Sequence, residues 1–151
     1  MVNPLLILPL LNSSLSASAE CWHQNPRSEP QLIPLDYKQC REVIPEINAY
    51  IGKEERTPLT FGRSPGVGFE VPKTWDYGSC HVTIDMVRPD VTETTTFATI
   101  LIEAFGLNLA CVLNPPSFGG KAFVGDHHLI EVSIHGSDTG MARRPFIVGL
   151  R

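Results

Sequence analysis

Four residues in two alternating runs offer the best prospect of chemistry in this chain: His81 and Asp85 in one, Glu131 and His135 in the other. Imidazole and carboxylate groups together suit acid–base work or metal ligation. In each run the polar residues alternate with apolar ones, Val82, Ile84 and Met86 in the first and Ile130, Val132 and Ile134 in the second. That is strand spacing, with one apolar face and one wet face. If the two strands flank the central strand with the same wet face, His81 and His135 come near each other. A concave pocket beside His81, Asp85, Glu131 and His135 is the candidate surface site for a small ligand.

Other motifs are weaker. Asp126-His127-His128 offers imidazoles and a carboxylate, but adjacent strand residues point to opposite faces, so solvated histidines are expected there and no metal site. Asp138-Thr139-Gly140 matches the loop that carries an aspartic-protease carboxylate. It follows Gly136-Ser137 instead of an apolar strand and has too little chain after it, so it reads as a surface turn. Gly119-Gly120-Lys121 leads into no helix and cannot cradle a phosphate. Glu93 and Glu103 lie ten positions apart on an expected helix, which does not make an acid/base pair. No Gly-x-Ser-x-Gly elbow occurs. Trp75 and Tyr77 read either as a recognition patch or as a cap on the core. No catalytic constellation, cofactor or metal is expected.

The elements that must position these residues follow from pattern. Residues 22–35 contain Pro26, Pro30 and Pro34, as in an extended arm or edge segment. Asp36 is an N-cap with Gln39 as capping-box partner, and Cys40, Ile44, Ile47 and Ile51 make a helical stripe that Pro45 kinks or ends before a stop at Gly52. Residues 53–79 are rich in proline and glycine and read as loop, with short strands at 59–61 and 67–71. Residues 80–86 form a strand. Thr92 or Thr94 caps a second helix carrying Phe97, Ile100, Leu101, Ala104 and Phe105, widened by Ile102, Leu107 and Leu109. The last strand holds residues 130–135. This order predicts an α+β fold: two helices on one face of a mainly antiparallel four-stranded sheet, βαββαβ-like.

Residues 1–19 carry no Asp, Glu, Lys or Arg, hold the apolar run Pro4–Leu11, and end in Ala17-Ser18-Ala19. They read as a secretory signal peptide cut after Ala19. The expected division is signal peptide 1–19, arm 20–35, one α+β domain 36–136 and a C-terminal tail 137–151. Four cysteines in an oxidising compartment predict two disulfides. In the βαββαβ arrangement Cys40, Cys80 and Cys111 fall at one end of the sheet, with the first helix on the Cys80 side. The pairs are then Cys40–Cys80 and Cys21–Cys111. A net charge of −4 argues against a nucleic-acid partner. No run is long enough for a membrane span. The one Asn-x-Ser/Thr, at Asn12, lies in the leader, and Arg143-Arg144 precedes Pro145 and reads as a basic tail.

Tyr37-Lys38-Gln39-Cys40 opening a helix, Tyr77-Gly78-Ser79-Cys80-His81-Val82-Thr83-Ile84-Asp85 as a strand, a long helix, and Gly119-Gly120-Lys121 with Gly125 before a final strand resemble small secreted fungal proteins of the effector type. Some of those are similar to viral killer toxins and to necrosis-inducing effector homologues in their α+β folds. The resemblance covers residues 36–136. It implies an extracellular binding or interaction protein with no established catalytic residues. Its partner would be an extracellular protein, a glycan or a small molecule. The alternative is a small secreted enzyme or metabolite-binding accessory of a fungal biosynthetic pathway.

Overall fold

The computed structural model describes residues 19–24 and 32–136. The leader up to residue 18, the middle of the arm, the Asp138-Thr139-Gly140 triplet, Arg143-Arg144 and the tail lie outside the described residues.

Helix α1, Tyr37–Ile51, begins where Asp36 accepts from the backbone N–H groups of Lys38 and Gln39. Gln39 does not close a capping box. Its Oε1 accepts from the Ser79 N–H and hydroxyl, at 3.1 and 2.9 Å, and so ties the helix start to a hairpin turn. Pro45 does not end the helix. It sits exposed, where a lost backbone bond costs least, while Val43 and Ile47 on either side are fully buried. The buried stripe is Cys40, Val43 and Ile47, with Ile44 and Ile51 half-buried. Gly52, at φ 66°, stops the helix.

A short 3-10 turn, Gly52–Glu54, leads to strands β2 (Leu59–Gly62), β3 (Phe69–Glu70), β4 (Lys73–Tyr77), β5 (Cys80–Met86) and β6 (Glu93–Thr95). Helix α2 spans Phe97–Asn108 and unwinds into a π turn, Leu109–Leu113. Strands β7 (Gly120–Val124) and β8 (Ile130–Gly136) follow, and a two-residue β1 (Glu20–Cys21) precedes α1.

The α+β class and the two helices stand, but the four-stranded βαββαβ sheet is corrected. The main sheet has five antiparallel strands in the order β1-β7-β8-β5-β4, and a second sheet has the order β3-β2-β6. The differences arise from turns. Gly78, at φ 60°, makes a two-residue reversal that folds Lys73–Tyr77 back along β5, with Tyr77 opposite Cys80. Gly125, at φ 97°, similarly lets 120–124 pair with β8. The first strand is too short to sit inside the sheet as that arrangement requires, and it pairs only with β7 at the edge. Gly120 is needed there, since a Cβ would strike the Glu20 carbonyl. The cap of α2 also moves. Thr94 pairs with Thr60 in the small sheet, and Thr96 accepts from the Thr99 N–H instead.

Both helices pack on the face of the main sheet that carries Val82, Ile84, Ala122, Ile130, Val132 and Ile134. Phe61, Phe69, Trp75 and Phe97 cluster at the seam with the small sheet, with ring centroids 4.9–6.5 Å apart. Burying each such side chain contributes about 1.5–3 kcal/mol. Trp75 is therefore core, while Tyr77 is exposed. Disulfides join Cys40 to Cys80 and Cys21 to Cys111. One fastens the first turn of α1 to β5, and the other fastens β1 to the π turn behind α2.

Candidate functional site

The structure brings the four sequence-derived residues into two adjacent pairs on the sheet face away from the helices. His81 lies opposite His135, and Asp85 opposite Glu131, because β5 and β8 are direct neighbours. Thr83 and Ser133 form the row between them. Four residues along a strand span about 13 Å, so the histidines and the carboxylates do not work on one another.

The histidine rings stack with centroids 5.5 Å apart. His135 is buried. Its Nδ1 lies 3.3 Å from the Gly136 carbonyl and its Nε2 3.0 Å from the Thr83 hydroxyl. In a neutral ring, Nδ1–H donates to Gly136 and Nε2 accepts from Thr83. Burial holds the His135 pKa below its ordinary value, and a charge on His81 lowers it further, against the opposing Gly136 bond. The Thr83 hydroxyl also bonds Thr74 at 2.8 Å, so a polar chain crosses three strands. His81 Nδ1 lies 3.9 Å from Asp76, and its Nε2 is buried with no partner.

Asp85 is committed to structure. Arg63 grips both its oxygens, at 2.8 and 2.6 Å, and the Met86 N–H donates to it at 2.7 Å. Glu131 is largely buried, and desolvation raises its pKa, opposed first by Lys121 at 4.0 Å. Asp85, Glu131 and His135 thus answer one another or their neighbours, while His81 keeps one ring nitrogen without a partner among the described residues.

The remaining motifs resolve locally. Asp126, His127 and His128 stand in the turn between β7 and β8, not in a strand, with His128 at φ 57°. Glu93 belongs to β6, not to a helix with Glu103. Its buried carboxylate accepts from the N–H groups of His127 and Leu129, at 2.6 and 2.7 Å, and staples that turn. Lys121 opens β7 between Glu20 and Glu131. Among the described residues no three His, Cys, Asp or Glu side chains gather as a metal site.

A concave site lies elsewhere. A groove of about 360 Å³ runs between α1 and α2 and opens to solvent. Its apolar lining is Ile44, Ala98, Leu101, Ile102 and Phe105, and Asn48, Glu55 and Arg56 add polar groups. Ile102 is 62% exposed and Phe105 43%, although the helical spacing placed both with the core. The sequence held a signal for this. A helix that covers a sheet needs one apolar stripe, and residues 97–109 are apolar nearly all round, so a second face was left to account for.

No protein-family model matches this chain, and no curated protein or solved structure matches it either.

Proposed function

We propose that the chain is a secreted, disulfide-stabilised binding protein of the effector-like kind, working outside the cell. The observation that carries this reading is the exposed apolar groove on a helix layer that disulfides brace at both helices. Single exposed apolar residues are ordinary, but a continuous trough of 360 Å³ has the size of a ligand site. The two cross-links are compatible with an oxidising compartment. The same volume favours a second reading, a metabolite-binding accessory protein of a biosynthetic pathway.

The test is expression of the full-length chain in a secretory host. The secreted product should start at Glu20 and gain mass on reduction and alkylation in step with four cysteines. Nile red should brighten on the folded protein, and Phe105→Asp should abolish the brightening while leaving the melting midpoint in place. A retained leader with free thiols would overturn the extracellular reading. Unchanged dye binding in Phe105→Asp would overturn the groove.

A further inference from the structure

We infer that the groove between α1 and α2 takes a single-chain amphiphile with an anionic head group, and that Arg56 is its counter-charge. The inference rests on the reading of the groove as the binding site. It adds the chemistry of the ligand.

The groove is polarised along its length. Ala98, Leu101 and Phe105 follow one another along about 10 Å of α2, which matches an extended chain of roughly ten carbons. The polar groups gather at the Ala98 end of this run: Asn48 comes from the last turns of α1, and Glu55 and Arg56 from the turn beyond it. That turn is pinned against the start of α2, because the Ala98 N–H donates to the Glu55 carbonyl at 2.9 Å. One end of the groove therefore carries the charged residues, and the remainder is lined by hydrocarbon.

The sign of the preferred charge follows from what stands at this charged end. Arg56 is exposed and makes no ion pair with another described residue. Its planar fork of donors suits a carboxylate, sulfate or phosphate oxygen pair. Ala98 belongs to the first turn of α2, the positive end of a 12-residue helix that has no acidic residue in that turn. The Asn48 amide can donate as well. Glu55 is the one group of opposite sign. It is half-buried and makes no ion pair with another described residue. The Arg56 guanidinium, with no ion-pair partner among the described residues, and the positive end of α2 outweigh it, so an anion is preferred over a cation of the same chain length.

The experiment titrates the full secreted chain with decanoate, 1-decanol and decyltrimethylammonium, reading displacement of Nile red. Decanoate should bind about tenfold more tightly than decyltrimethylammonium, with decanol between them. Arg56→Gln should remove most of that preference and leave the melting midpoint unchanged, since Arg56 anchors no other described residue. Arg56→Lys should keep part of it, and Glu55→Gln should tighten decanoate severalfold. Equal binding of the three head groups, or a preference that survives Arg56→Gln, would overturn the inference while the groove reading stands. Nile red that does not bind at all would overturn both.

Discussion

The two faces of this molecule use their side chains in opposite ways. The sheet face away from the helices holds the residue types that chemistry favours: two histidines, two carboxylates, hydroxyls, a lysine and an arginine. There they are spent on each other. Arg63 grips Asp85, Thr83 links Thr74 to His135, and Lys121 stands between Glu20 and Glu131. The helix groove holds no arrangement that looks catalytic, yet its Ile102, Phe105 and Arg56 have unfilled capacity. The difference teaches that residue type marks where chemistry is possible, and unsatisfied contact marks where a partner is wanted.

The largest expected effect concerns what holds the faces together. Replacing Cys21 and Cys111 by Ser frees a loop of 90 residues, and replacing Cys40 and Cys80 frees one of 40. Each should lower urea-unfolding stability by about 4 kcal/mol. Loss of the Cys40–Cys80 bridge should also weaken Nile red binding, because α1 forms one groove wall. Full dye affinity without that bridge would show that the groove is independent of the brace.

Next comes the polar face itself. Asp85→Ala leaves the largely buried Arg63 guanidinium without its Asp85 partner and should cost about 3 kcal/mol, with groove binding unaltered. A loss under about 0.5 kcal/mol would mean that this face is less self-contained than its geometry indicates.

The pH dependence is smaller and of mixed sign. His135 is held below its ordinary 6.5 in the fold. As pH falls through 6.5 the unfolded chain takes up that proton first, so stability drops toward the lower folded value. Glu131 is held above its ordinary 4.5, so the folded chain takes up its proton first and gains stability as pH falls toward 4.5. The two oppose each other between 6.5 and 4.5. Urea midpoints of Glu131→Gln should therefore fall more steeply over that window than those of the parent. Parallel curves would count against burial as the common cause.

The smallest stability effect is expected in the groove. Ile102→Ser should change stability by no more than about 0.5 kcal/mol, since Ile102 is mostly exposed, and should still weaken dye binding severalfold. A large destabilisation would place Ile102 in the core after all.

Much of the main sheet and both helices was legible because their patterns are local. The Asp36 cap, the Gly52 stop and the alternation in β5 and β8 each lie within a few residues of chain. Strand β3 lies inside the short strand expected at 67–71, but β4 was hidden because it stands among glycines and prolines whose turns, not its apolar pattern, decide the pairing. Thr94 was misread as a cap because its partner Thr60 is 34 residues away. Gln39 was misread for the same reason, its carbonyl being used 40 residues along the chain. The shared face of His81 and His135 followed from alternation, but their direct pairing on neighbouring strands, and the engagement of Asp85 with Arg63, did not. The groove was the least visible feature, since it exists only where two helices meet and fall short of covering each other.

Strand β1 has a consequence for resistance to proteolysis. If the chain is cut after Ala19, one residue, Glu20, precedes Cys21, and both are paired along β7 while Cys21 is bonded to Cys111. An exopeptidase nibbling from that end would remove Glu20 and then meet a cystine it cannot pass without severing the cross-link. The same short strand that is too small to shape the sheet is thus well placed to blunt trimming from that end.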